Sequence, residues 1–159
     1  MNNDLSGIKP LLYKILNDVN IYPSDEDIKV INRGNPHHLS FVEGNAYVYT
    51  FQYKGEFLKI GKAGSNSQPR FFSQHYHPSR TGSNLAKSIL FDPVMKIYEL
   101  NDDTVGDWIK KNVDRIDVEV NGSLGIFTLN LIESIMHCLY EPKYEGFKSQ
   151  RITKIFNKK

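Results

Sequence analysis

The chain has 159 residues, 40% of them hydrophobic and 12% aromatic, which suits one domain with a sizeable core. A single cysteine, Cys138, excludes an internal disulfide, and neither an apolar run approaching a membrane span nor a signal-peptide pattern is read, so the expected setting is cytoplasmic, with no membrane partner. The net charge of +2 conceals two basic clusters, Lys54 to Lys87 and Lys143 to Lys159, each with six cations against one carboxylate; they read either as a surface for a polyanion or as ordinary solvated lysines.

In chain order, Asp4 or Ser6 caps a first helix carrying Ile8, Leu11, Leu12, Ile15 and Val19 at helical spacing, with Pro10 in its first turn. Pro23-Ser24-Asp25 opens a short element through Ile28 and Ile31 that reads equally as helix or strand. Gly34-Asn35-Pro36-His37-His38 is loop, and its adjacent histidines lack partners at metal-ligand spacing.

Tyr47 to Tyr53 is β-branched or aromatic at almost every position and reads as a strand. Lys54-Gly55 turns it back into Glu56 to Gly61. Alternation puts Tyr47, Tyr49, Phe51 and Tyr53 on one face, and Phe57 and Lys59 on one face of the partner strand. Gly61-Lys62-Ala63-Gly64 reads as a small turn that lets a backbone or phosphate come close. Ser65 to Pro69 is loop, and Arg70 opens a helix to about Tyr76 that Thr81-Gly82 breaks.

Ser83 or Asn84 caps the next helix, which Pro93 ends. Met95 to Leu100 reads as an added strand, and Asp102 or Asp103 caps a helix with Val105, Trp108, Ile109 and Val113. Arg115 to Val120 alternates strictly, with Ile116, Val118 and Val120 inward. Ile126 to Tyr140 is the longest apolar helix, stopped at Glu141-Pro142. This order predicts an α+β fold: a small three-stranded antiparallel sheet flanked by helices. The expected segments are an N-terminal helical extension (1–44), a main domain (45–147) and a basic tail (148–159).

Tyr47-Val48-Tyr49 and Lys59-Ile60-Gly61, ten residues apart, followed by Arg70 after eleven more, resemble the motifs of the GIY-YIG nuclease superfamily. Lysine replaces the second-motif tyrosine, as in a subset of that family's restriction endonucleases, and Gly is missing at 47. The resemblance covers about Ala46 to Phe147. It implies metal-dependent hydrolysis of DNA phosphodiesters, with Mg²⁺ or Mn²⁺ as cofactor and double-stranded DNA as partner; a homodimer is compatible. Other readings are a nucleic-acid-binding module on the same fold with lost or weak catalysis, and a structural or protein-interaction domain.

Under that resemblance Tyr49 prepares the attacking water, its phenol lowered from about 10 by nearby cations, and Lys59 assists. Tyr47 could stand in for Tyr49 in the alignment. Arg70 suits a scissile phosphate because a guanidinium matches two oxygens at once. His75 and Tyr76 lie about one turn later, where a proton shuttle is expected. Glu133, on an apolar helix, reads from the residues as a buried ion pair and from the resemblance as the metal ligand. The family's late Asn has no clear counterpart, and Tyr144-Glu145-Gly146 stands in that region. Tyr47, Lys62, Tyr76, Arg80, Lys87, Lys148 and Arg151 are candidates for DNA contact, and Asn66, Gln68, Ser79 and Asn84 for base reading. Tyr49, Lys59, Arg70 and Glu133 are expected to line one concave surface.

Overall fold

A computed structural model describes residues 5–79 and 83–146. Asp4, Arg80, Thr81, Gly82, Lys148, Arg151 and the rest of the basic tail lie outside the described residues.

The chain folds as α1 (Ile8–Asp18), β1 (Ile28–Asn32), β2 (Asn45–Tyr53), β3 (Glu56–Ala63), α2 (Gln68–Phe72), α3 (Leu85–Phe91), α4 (Val105–Asn112), β4 (Asp114–Asn121) and α5 (Gly125–Tyr140). The β2–β3 hairpin closes through Lys54 and Gly55, both at positive φ (49° and 79°), the backbone a two-residue hairpin turn requires. All pairings are antiparallel, in the order β1-β4-β2-β3. The fold is α+β, with helices on both faces of the sheet.

The sheet has four strands where three are expected. The ambiguous element after Pro23 is β1, paired to β4 from Ile28↔Val120 to Asn32↔Ile116. Residues 1–44 are therefore not a purely helical extension: they supply an edge strand and, through Ile8, Leu12 and Leu16 of α1, part of the core. Periodicity could not decide β1, because five residues are too few to separate the two patterns and its partner lies far along the chain.

Two cores flank the sheet. Val48, Ile60, Val118 and Val120 pack with α1 and with Leu129, Ile132 and Met136 of α5. On the other face, Tyr47, Tyr49, Phe51 and Leu58 pack with Phe71, Leu85, Ile89, Val105 and Ile109 from α2, α3 and α4. The helical run Gly122–Tyr140 is long and apolar enough by length and composition to cross a membrane, contrary to the expectation that no run approaches such a span. Thr128, Leu129, Ile132 and Met136 bury one side of it.

Four local expectations change. Arg70 does not open a helix to about Tyr76: α2 is already under way at Gln68 and ends at Phe72, and Gln74–Tyr76 is a separate 3-10 turn. Met95 to Leu100 adds no strand: Pro93–Tyr98 is a 3-10 helix, started by Pro93 and by the Asp92 carboxylate accepting from Val94 N–H at 3.0 Å. Gly61, Lys62 and Ala63 lie within β3, not in a turn. Phe57 and Lys59 do not share a face: Phe51 pairs with Lys59 but Gln52 pairs with Phe57, and the bulge reverses the alternation. Phe57 consequently stacks on Tyr140 of α5 (centroids 4.3 Å), while Lys59 faces the α2–α4 side with Phe51.

Candidate active site

The site forms at β3, the edge strand. Tyr49 sits on β2 directly opposite Gly61, so its ring lies across that glycine and its hydroxyl reaches the strand edge. A Cβ at Gly61 would fall 2.6 Å from the Tyr49 hydroxyl, so this position excludes a side chain. Arg70, on the short helix α2 with Pro69 in its first turn, donates from Nε to the Tyr49 hydroxyl at 3.2 Å. Burial works against the Arg70 charge, but Tyr49, Glu133 and Glu145 outweigh it and raise its pKa.

Lys59 is buried beside this pair. Its ammonium donates to Asn84 Oδ1 at 2.9 Å and to Glu145 Oε1 at 2.5 Å. Glu145 is carried there by a segment that docks on the edge of β3, where Lys143 N–H and Tyr144 N–H donate to the Phe57 and Leu58 carbonyls at 2.8 and 2.9 Å. Glu133 is on α5, which covers the opposite face of the sheet, and its carboxylate accepts from the Lys62 ammonium. The four expected residues thus do not form one set of direct contacts. Tyr49 and Lys59 face the α2–α4 side of the sheet with Arg70, Glu133 comes from the helix on the other side, and the single concave surface expected of them is not what these contacts give. Tyr49 and Arg70 bond each other, Lys59 bonds Glu145, Glu133 bonds Lys62, and the fields of both carboxylates meet at Arg70.

The tyrosine chemistry also departs from expectation. Burial pushes Tyr49 up to about 12, and the opposing pull of Arg70 and then Arg115 is too small to reverse it. Tyr49 is therefore a neutral phenol at pH 7. His75 is fully buried beneath it, ring centroids 4.3 Å apart, with Nδ1 2.7 Å from Ser83 Oγ. Burial first, then Arg115, Lys59 and Arg70, hold its pKa well below the ordinary histidine range. His75 props the Tyr49 ring as a neutral imidazole, not as a solvent-exposed proton shuttle.

Two aromatic candidates for DNA contact are committed inside the protein. The Tyr47 hydroxyl donates to Glu119 at 2.8 Å and accepts from Val42 N–H, and burial pushes it up to about 12. The Tyr76 hydroxyl lies 2.9 Å from both Arg115 Nη1 and His37 Nδ1. Lys87, Asn66, Gln68 and Ser79 are at least partly exposed, and Asn84 bonds Lys59.

Sequence reasoning missed the polar row of β4. Arg115 and Asp117 are fully buried and Glu119 nearly so, because α2–α4 cover the face that alternation left unassigned. Asp117 accepts from Arg115 Nε at 2.9 Å and from Arg33 Nε at 2.7 Å. Arg115 Nη1 also donates to the Phe71 carbonyl at 3.1 Å, and its guanidinium lies 4.6 Å from the Phe71 ring. This network ties the segment carrying Arg70 and His75 to the sheet. Burial opposes the Arg115 charge, yet Asp117 and Tyr76 raise its pKa. The strict charged alternation Arg115-Asp117-Glu119 was the available signal.

No group of three or more His, Cys, Asp or Glu among the described residues gathers to hold a metal. Compared with family models, curated proteins and solved structures, the chain matches none of them.

Proposed function

We propose that this chain is a metal-dependent DNA endonuclease of the GIY-YIG type. One observation carries the reading: the Tyr49 hydroxyl and the Arg70 guanidinium are joined across Gly61 at a strand edge. Hydrolysis of a phosphodiester needs an oriented water and positive charge against the phosphate and the leaving oxygen.

Arg70 binds and neutralises the phosphate, and its hydrogen bond to Tyr49 fixes where the phenol points. Tyr49, neutral at pH 7 and fully buried in the free chain, holds Arg70 through its hydroxyl and would reach the attacking water only where Arg70 gives way to substrate. Lys59 adds fixed positive charge, steadied by Glu145 and Asn84. Glu133 fits as the protein ligand of Mg²⁺ or Mn²⁺: its carboxylate is partly exposed, and the cation it holds, the Lys62 ammonium, sits on a flexible side chain that a metal would have to displace. Mg²⁺ keeps several waters and commonly takes one or two carboxylates plus substrate phosphate oxygens, so a cage of three acidic groups is not required. When bound, the metal supplies Lewis-acid charge to the phosphate.

Double-stranded DNA is the proposed substrate, the cytoplasm the proposed setting, and a homodimer is compatible with cutting both strands. The second reading, a nucleic-acid-binding module without efficient catalysis, draws on the pairing of Lys59 and Glu133 with opposite charges in the free chain. Incubation with plasmid and phage DNA, with and without Mg²⁺, followed by mapping of the ends, separates the two. Glu133→Gln is expected to abolish Mg²⁺-dependent cleavage while leaving DNA binding largely intact. Binding without cutting by the unaltered chain would favour the module.

A further inference from the structure

Lys62 follows Gly61 by one residue on β3, so its side chain leaves the opposite face of the sheet, next to Val48. There it meets α5 and bonds Glu133 Oε2. The pair is not sealed: 33% of the Lys62 side chain and 16% of that of Glu133 are exposed. Glu133 is also among the weaker charges felt at Tyr49 and Arg70, behind burial and the Tyr49–Arg70 pair itself. The neighbouring carboxylate, Glu145, is bonded to Lys59.

Resting on the metal-dependent reading above, we propose that Lys62 is a built-in competitor for the divalent cation at Glu133, and that a DNA phosphate relieves the competition by taking the Lys62 ammonium. An ammonium and a divalent cation carry like charge and repel each other on one carboxylate. The metal therefore displaces Lys62 or binds weakly. Lysine is a compact charge on a flexible four-carbon stem, so it can exchange a carboxylate for a nearby phosphate oxygen. With Lys62 on the phosphate, Glu133 is left anionic beside the substrate it serves. The exchange makes and breaks only ionic contacts. Linkage makes it reciprocal: DNA tightens metal binding and metal tightens DNA binding by the same factor. The metal site is then completed mainly in the presence of substrate.

The test measures Mn²⁺ binding to the full chain by electron paramagnetic resonance of the free ion, without DNA and then with a short duplex, with a duplex-only blank. Lys62→Met is expected to bind Mn²⁺ about tenfold more tightly than the unaltered chain without DNA, equivalent to ~1.4 kcal/mol. Lys62→Arg, which keeps the charge, should stay close to the unaltered chain. The duplex should tighten binding to the unaltered chain by a larger factor than to Lys62→Met, which gains only the phosphate oxygens as metal ligands and has no competitor to relieve. Lys62→Gln provides a second neutral variant if Met disturbs folding by circular dichroism. Equal Mn²⁺ affinity in the neutral variants and the unaltered chain overturns the proposal, and if Glu133→Gln still abolishes binding the metal assignment survives. Undiminished Mn²⁺ binding and cleavage by Glu133→Gln would overturn the metal assignment, and the competition with it.

Discussion

Replacing Gly61 by alanine tests the packing that defines the site. The added Cβ would lie 2.6 Å from the Tyr49 hydroxyl oxygen and 2.8 Å from both Cε2 and Cζ. The ring has nowhere to retreat: it is fully buried, with His75 at 4.3 Å, Phe51 at 5.9 Å and the Arg115 guanidinium at 5.5 Å. Overpacking of this kind costs about 1–3 kcal/mol. Breaking the Tyr49–Arg70 hydrogen bond adds roughly 1 kcal/mol. Gly61 has no positive φ, so alanine fits the backbone and returns about 0.4–1 kcal/mol through the unfolded state. The expected net destabilisation is therefore ~1–3 kcal/mol, read from urea denaturation at about pH 7.5. Tyr49→Leu removes all three clashing atoms. In that background Gly61→Ala should cost less than about 0.5 kcal/mol, giving a coupling of roughly 1 kcal/mol or more in the double-mutant cycle. An unchanged stability for Gly61→Ala, or an equal cost in both backgrounds, would refute the geometry. Under the proposed function the same variant should also cut DNA more slowly, because the phenol no longer points at Arg70.

Arg115→Met should destabilise the chain by about 3–5 kcal/mol in thermal or urea unfolding, since it removes one of the two guanidinium partners of a fully buried Asp117; a change below about 1 kcal/mol would contradict a structural role for the network. His75 has its pKa depressed in the folded chain, so the unfolded chain takes up the proton first. Stability should be fully present above the ordinary histidine value of about 6.5 and fall as pH drops below it, by up to ~1.4 kcal/mol per pH unit. Urea midpoints from about pH 7.5 to 5 check this, and His75→Gln should flatten the slope by about one proton's worth. For DNA binding, neutralising Lys148, Arg151 and Lys154 should weaken all sequences about equally and reduce the log–log salt slope by up to about 0.9 for each phosphate no longer neutralised; an unchanged slope in titrations at several salt concentrations would exclude the tail from binding the DNA backbone.

Much of the fold follows from local chemistry that a sequence displays directly. The aromatic run from Tyr47 to Tyr53, the Lys54-Gly55 turn, the alternation of Ile116, Val118 and Val120, and the apolar spacing of α1 and α5 each specify an element from its own residues. The α+β class followed from their order. The placement of the site depended on contacts between distant residues. Alternation tells which β4 side chains share a face but not what covers it, so the burial of Arg115 and Asp117 awaited the packing of α2–α4. One bulge residue sent Phe57 and Lys59 to opposite faces, a displacement that a regular two-residue period cannot register. Cations beside Tyr49 predicted a lowered pKa, but the sign was set by burial, and burial is a property of the assembled core. The choice of partner was also tertiary. Glu133 is separated from Lys62 by 71 positions and Lys59 from Glu145 by 86, so the sequence could supply the charges but only the assembled sheet edge could pair them.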